Sequence, residues 1–268
     1  RVRQLFNKLL YDRQMNRFVP RARSTKMVLD QWRRRIDRGS PLGVLPERSP
    51  AISRLASEPY EPYTMRSVAE GAETNLFSVI SLFAGAGGSS LGYRLGGGRV
   101  HAAVEFGPAA AASYRRNHPS AVVEQRNVRD ILNEHEGVER FLRKAGLAPG
   151  ELDMLDASPP CTEFSLAGNG IGDQTVQKTH SGVKQTHVAT LPFAYARFLH
   201  RTKAKVSVME NVPGLVMMTP ELFERIRASL KFNMNSERAY YVNWKILAAS
   251  DYGVPQKRKR IIVVSIRK

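Results

Sequence analysis

At 268 residues, 42% of them hydrophobic, the chain can bury one α/β core with an appendage, but hardly a second large domain. Its formal net charge of +17 exceeds what an enzyme of small neutral substrates needs and points to a polyanion, with nucleic acid the first candidate. The absence of any run of about 18 apolar residues, or of an apolar leader-like opening, argues against a membrane partner, and the single cysteine, Cys161, excludes a disulfide framework or a cysteine-built zinc site within the chain. The expectation is a soluble, intracellular protein associated with DNA.

Residues 1–38 carry Val2, Leu5, Phe6, Leu9 and Leu10, then Val28, Leu29, Trp32 and Ile36, at helical spacing between arginines; this pattern predicts two basic amphipathic helices. Pro41, Pro46, Pro50, Pro59 and Pro62 rule out a long helix in the following stretch, so residues 39–75 read as an extended linker. Residues 1–75 hold 15 Lys/Arg against 8 Asp/Glu, a charge that suits a solvated packing arm as well as it suits DNA contact.

From residue 76 short β-branched runs alternate with helical stretches, the pattern of a mostly parallel sheet covered on both faces. Seven strands are predicted, at 76–83, 100–106, 121–124, 152–157, 205–210, 241–248 and 260–266. The domain therefore spans 76–268, an α/β fold with helices on both faces of a seven-stranded sheet, preceded by the basic helical arm.

The first strand runs into Phe83-Ala84-Gly85-Ala86-Gly87-Gly88 and then a helix over about 89–95. Glycines at a strand-to-helix turn let a ligand approach the backbone, and a helix N-terminus favours a negative group. The second strand ends in Glu105, where a carboxylate can accept hydrogen bonds from ribose hydroxyls; the two features together predict a nucleoside cofactor. The fourth strand delivers Ser158-Pro159-Pro160-Cys161-Thr162-Glu163-Phe164-Ser165. A lone cysteine is most often a small buried hydrophobe, but one in a rigid turn beyond a strand's carboxyl end lies at the ligand-binding edge of an open α/β sheet. The fifth strand ends in Glu210-Asn211-Val212 at that same edge, and Gln256-Lys257-Arg258-Lys259-Arg260 precedes the last strand.

These four motifs, FAGAGG, PPC followed by FS, ENV, and QxRxR, occur in order and at family-like separations, and residues 76–268 resemble the DNA cytosine-C5 methyltransferases typified by bacterial modification enzymes. The resemblance implies a Rossmann-like fold that binds S-adenosylmethionine, and methyl transfer to C5 of a cytosine flipped out of duplex DNA. It implies Cys161 as the nucleophile that adds to cytosine C6, aided by positive charge from Arg258 or Arg260. Glu210 corresponds to the glutamate that hydrogen-bonds N3 and N4 and supplies a proton. Arg260 corresponds to the arginine near O2, and Gln256 and Arg258 to residues holding the loop and the phosphate beside the flipped nucleotide. Pro160, Ser165 and Asn211 are expected on the substrate side, with Asn211 tying neighbouring loops together.

For the cofactor, the resemblance assigns the loop containing Phe83, Gly85, Gly87 and Gly88 to the methionine portion, Glu105 to the ribose and Phe106 to the adenine ring. Asn127 falls where many members have an aspartate reading the adenine amino group, and Leu191 matches a pocket leucine, though an ordinary core leucine fits equally. Family members carry a mobile loop between Phe164 and Val188 that closes over DNA; Lys178 and Lys184 are expected to meet phosphates there.

The sequence departs from the family after QxRxR, where members continue into a target-recognition region and a Gly-Asn-containing segment that completes the cofactor pocket. Neither is found, and residues 1–75 hold no permuted copy. A split enzyme whose recognition region is a second polypeptide, a partial chain, or a core that has lost activity are the alternatives. An RNA-methylating relative is a further one, against which Ser165 after Phe164 counts, because the tRNA branch usually carries threonine there. A non-catalytic DNA-binding subunit has no chemical reason to retain Cys161, Glu210, Arg258 and Arg260 together.

Overall fold

Six consecutive residues of strand β1 (Phe77–Leu82), reading FSVISL, are all buried, as are the four of β4 (Met154–Ala157). Uninterrupted burial of this kind marks strands covered on both faces. These strands belong to a computed structural model that describes residues 64–160, 179–180, 183–184, 188–252 and 254–268. The expected helices of residues 1–38, most of the linker, Cys161, Ser165 and Lys178 lie outside the described residues.

The described chain opens on helix α1 (Met65–Glu73), which falls inside the segment predicted to be extended. The reason is local: the last proline of that segment is Pro62, and the sequence beyond it is free to wind. After β1 come α2 (Gly88–Leu95), β2 (Gly98–Val104), α3 (Pro108–Asn117), β3 (Val122–Glu124), α4 (Val128–Asn133), α5 (Gly137–Lys144) and β4. A two-residue hairpin, β5 (Thr179–His180) with β6 (Val183–Lys184), stands apart from the main sheet. Then follow α6 (Leu191–Thr202), β7 (Val206–Asn211), α7 (Gly214–Met217), α8 (Pro220–Lys231), β8 (Tyr240–Ala248) and β9 (Lys259–Arg267).

The seven-stranded sheet has the order β3-β2-β1-β4-β7-β9-β8. β2 pairs with β3, β1 with β4, and β4 with β7 in parallel, whereas β9 runs antiparallel to β7. The chain moves outward from β1 to β2 and β3, then returns to the other side of β1 with β4. The switch point between β1 and β4 is where an open α/β sheet places its ligand crevice. Each predicted strand is present with bounds shifted by no more than two residues.

The chain divides into two compact units, the larger built from residues 79–90, 100–246 and 259–268 and the smaller from residues 1–78, 91–99 and 247–258. In the smaller, α1 approaches the end of α2 so closely that a Cβ on Gly71 would lie 2.5 Å from the Arg94 carbonyl oxygen. In the larger, α5, α6 and α8 bury Val138, Phe141 and Leu142, then Tyr195, Phe198 and Leu199, then Phe223, Ile226 and Leu230. This is the three-and-four spacing of helices laid on a sheet. Phe141 meets Phe198 edge-on at 5.8 Å, and Phe223 meets Trp244 at 5.2 Å. Burial pushes the Tyr195 phenol well above its ordinary range, so it stays neutral inside this core.

An ion pair couples two of these helices. Arg201 on α6 reaches both carboxylate oxygens of Glu139 on α5, with Nε donating to Oε1 at 2.8 Å. The Arg201 hydrogen bond holds the Glu139 carboxyl below the usual carboxylate range against the opposing effect of partial burial. A depressed folded-state value stabilises above the unfolded value, roughly pH 4.3, and that contribution disappears as pH falls through the folded value. Both side chains are partly exposed, so Glu139→Gln is expected to cost no more than about 1 kcal/mol at pH 7. Urea denaturation across the acid range should show the gap between variant and wild type closing below roughly pH 4; a gap that persists there would assign the stabilisation to something else.

Candidate active site

The glycine-rich loop is built by backbone geometry that few residues tolerate. Phe83, Gly85 and Gly87 all have positive φ, at 53°, 56° and 93°. At Gly87 glycine is compulsory, because a Cβ would lie 2.3 Å from Nε2 of His118. That imidazole is buried and donates from Nε2 to the Gly87 carbonyl at 3.0 Å. Asn117 Nδ2 donates to the Ala86 carbonyl at 2.8 Å, and the Tyr114 and Ser90 hydroxyls share a 2.6 Å hydrogen bond. The end of α3 thus holds the loop from one side. Sequence reading missed Tyr114, Asn117 and His118, which lie some thirty residues from the loop and belong to no motif.

Glu105, one residue past β2, stands against this loop. Its Oε2 accepts from the Gly85 amide at 2.7 Å and its Oε1 from the Gly107 amide at 2.7 Å. Ala84 N donates to the Val104 carbonyl at 3.3 Å, so the ends of β1 and β2 share one edge. Each carboxylate oxygen keeps acceptor capacity beyond its amide partner, which is what a ribose diol needs. Phe106 follows and leaves 38% of its surface exposed, as much as Phe232 does elsewhere on the chain.

Asn127 caps α4, its Oδ1 accepting from the Arg129 amide at 3.0 Å. The oxygen expected to read an adenine amino group therefore already serves a helix, with one lone pair to spare. Arg129 in turn donates to the Thr190 hydroxyl, tying this cap to the start of α6, where Leu191 is buried. Burial lowers the Arg129 guanidinium from its ordinary value, and Asp130 opposes that shift.

On the other side of the switch point, Asn211 at the end of β7 is buried and donates from Nδ2 to the Pro159 carbonyl at 3.1 Å. Its Oδ1 accepts from the Val212 amide at 2.9 Å. Asn211 thus joins the end of β7 to the turn that leads through the half-buried Pro160 towards Cys161. Ser158 N reaches the Leu82 carbonyl at 3.4 Å from the opposite side. Glu210, beside Asn211, forms an ion pair with Arg260, Oε1 to Nε at 2.8 Å. The antiparallel run of β9 is what brings Arg260, from the strand's beginning, to the carboxyl end of β7. Gln256 and Arg258 are exposed in the smaller unit, where the Arg258 carbonyl accepts from the Ala249 amide at 2.8 Å.

A further residue outside the motifs is Asp156, only 3% exposed, one position before the end of β4. Its Oδ2 accepts from the Ser81 hydroxyl at 2.8 Å and from the Ser89 hydroxyl at 2.7 Å. A carboxylate inside a four-residue buried strand was the available signal for it.

Among the described residues no cluster of His, Cys, Asp and Glu could hold a metal ion, and no helix is long and apolar enough to cross a membrane. The sheet defines a class: an open, mostly parallel α/β domain with a glycine-rich loop on one side of its switch point and a proline turn on the other. The match is more specific. Residues 77–268 fit the C-5 cytosine-specific DNA methylase model, and the chain belongs to that family.

The type II methyltransferase M.XorII of Xanthomonas oryzae pv. oryzae is 31% identical over 190 residues, covering 70% of this chain and 40% of the relative. The type II methyltransferase M.AquIA of Picosynechococcus sp. is 30% identical over 194 residues, covering 70% of this chain and 71% of the relative. The matched chain thus spans less than half of M.XorII and most of M.AquIA. Among solved structures, a prophage-encoded protein of E. coli described as a DNA modification methyltransferase superposes with a TM-score of 0.54 at 24% identity, covering 71% of this chain and 47% of that one; it shares the fold.

Proposed function

We propose that this chain carries out methyl transfer from S-adenosylmethionine to C5 of a cytosine flipped out of duplex DNA. The observation that carries the reading is the Asn211 to Pro159 hydrogen bond, which joins the Glu210 strand end to the turn preceding Cys161 at the switch point. The cofactor reading rests on Glu105, whose two oxygens are each oriented by one backbone amide, on the glycine loop and on exposed Phe106. Phe83, Gly85, Gly87 and Gly88 would hold the methionine portion, Glu105 the ribose, and Phe106, Asn127 and Leu191 the adenine side. When bound, S-adenosylmethionine supplies an electrophilic methyl group.

The chain's own residues prepare the base. The Cys161 thiolate forms a bond to C6, Glu210 delivers a proton to N3, and C5 becomes electron-rich enough to be methylated. Loss of the C5 proton to a base, expulsion of the thiolate and return of the N3 proton to Glu210 then restore the aromatic ring. Arg260 anchors O2, while Gln256 and Arg258 hold the adjoining loop and phosphate, with Pro160 and Ser165 lining the base. The partners proposed with this reading are duplex DNA and a second polypeptide that carries a target-recognition region.

The deciding experiment uses duplex DNA containing 5-fluorocytosine, which cannot release its C5 substituent as a proton, with labelled cofactor. A covalent adduct that depends on Cys161 is the expected result. No adduct, even with a recognition segment supplied, would leave a binding-only protein, and an adduct confined to RNA would move the substrate class. In a separate measurement, Glu105→Ala should weaken cofactor binding by about 1 to 3 kcal/mol, the range for losing a charged hydrogen-bonding group. Calorimetric titration reads this directly, and unchanged affinity would place the ribose elsewhere.

A further inference from the structure

We infer that Asp156 and Ser89 are positioning residues for methyl transfer, setting the distance between the cofactor loop and the turn that carries the nucleophile; this rests on the reading of that edge given above. Asp156 pairs with Ser81 across the β1 and β4 ladder, so its carboxylate stands at the switch point of the sheet. From there it reaches out of the strand layer to Ser89, the second residue of α2 and the neighbour of Gly88 in the glycine loop. In the other direction the chain runs from Asp156 through Ala157 and Ser158 to the Pro159 turn held by Asn211. One buried carboxylate therefore grips both halves of the site.

The chemistry of the grip favours a positional role over a stabilising one. Moving a carboxylate out of water costs several kcal/mol, and well-packed apolar side chains in its place are often neutral or better for stability. What the side chain offers instead is a shared point: the Ser81 and Ser89 hydroxyls converge on one oxygen, Oδ2, at 2.8 and 2.7 Å, the ordinary separation for such bonds. Transfer between two bound partners is unusually sensitive to such a span, since a misplacement of about 1 Å can cost about 10²-fold in rate. Ser81 fixes the carboxylate within the sheet, and Ser89 transmits that position to the loop. Ser89 is exposed, so its hydroxyl can be removed without opening a core cavity.

The test compares Ser89→Ala and Ser89→Thr with wild type, in the presence of whatever recognition segment activity requires. Single-turnover methyl transfer to DNA by the alanine variant should fall about 10- to 100-fold. Its cofactor Kd should stay within about threefold and its thermal midpoint should hardly move, because the ribose and adenine contacts remain. Threonine, which restores the hydroxyl, should recover most of the rate. A rate within twofold of wild type for Ser89→Ala would overturn the inference, as would a loss explained entirely by weaker cofactor binding. Failure of the underlying cofactor reading is distinguishable, since Glu105→Ala would then leave affinity unchanged whatever Ser89 does.

Discussion

Cys161→Ser is expected to abolish methyl transfer, with a loss of at least about 10³-fold in kcat, as for other removals of a covalent nucleophile. The reason is acid strength. A thiol with a free value of roughly 8.5 is already partly thiolate near neutrality and is readily shifted further by cationic neighbours, whereas a serine hydroxyl stays protonated under the same influence. Cofactor affinity should change by less than about twofold, because the glycine loop, Glu105 and Phe106 lie on the β1 and β2 side of the switch point and none of the residues proposed to hold the cofactor depends on sulfur. Rapid-quench measurement of methylated product, paired with cofactor titration, separates the two quantities. A large fall in affinity with residual turnover would make Cys161 a structural residue of the proline turn.

Glu210→Gln is expected to lower kcat by about 10²- to 10⁴-fold, the usual range for loss of a general acid. The substitution keeps the shape of the side chain and its capacity to hydrogen-bond a cytosine edge, but it removes the group that can hand over a proton. The ion pair with Arg260 adds a second consequence. In that pair Glu210 is a carboxylate, so the proposed mechanism requires it to take up a proton as it turns from the guanidinium to the base, leaving Arg260 for O2. Arg260→Lys, which retains charge without the planar fork, should therefore impair turnover more than DNA affinity. Equal single-turnover rates for wild type and Glu210→Gln would reduce the carboxylate to a strand-end ion pair.

The sheet was legible in the sequence because its strands are written as short β-branched runs closed by motif residues, so Glu105, Pro159 and Asn211 fell where strands had to end. The positions of those motifs along the chain also carried the family. What escaped was of two kinds. Helix α1 was hidden because prolines upstream coloured the reading of a stretch that contains none itself. Tyr114, Asn117 and His118 escaped because they act across a gap of some thirty residues: their hydrogen bonds to Ala86, Gly87 and Ser90 exist only once α3 has folded back beneath the glycine loop. Asp156 is the intermediate case. A charge in the run Met154-Leu155-Asp156-Ala157 conflicts with the burial the run otherwise demands, and such local conflicts tend to mark functional sites. Asn127 shows the converse limit, for a residue matched by family position to a ligand also turned out to cap a helix.

The reversed direction of β9 divides the strand between two ends of the sheet. Arg260 begins the strand at the site, whereas Arg267 ends it at the opposite edge, where its guanidinium meets the carbonyls of Gly150 and Lys203 and its amide meets Lys205. Seven strand steps separate the two, roughly 25 Å at the rise of a β-strand. The first residues of the strand thus serve the end that carries Glu210, while its last residues pin the start of β7 and the end of α6 at the other.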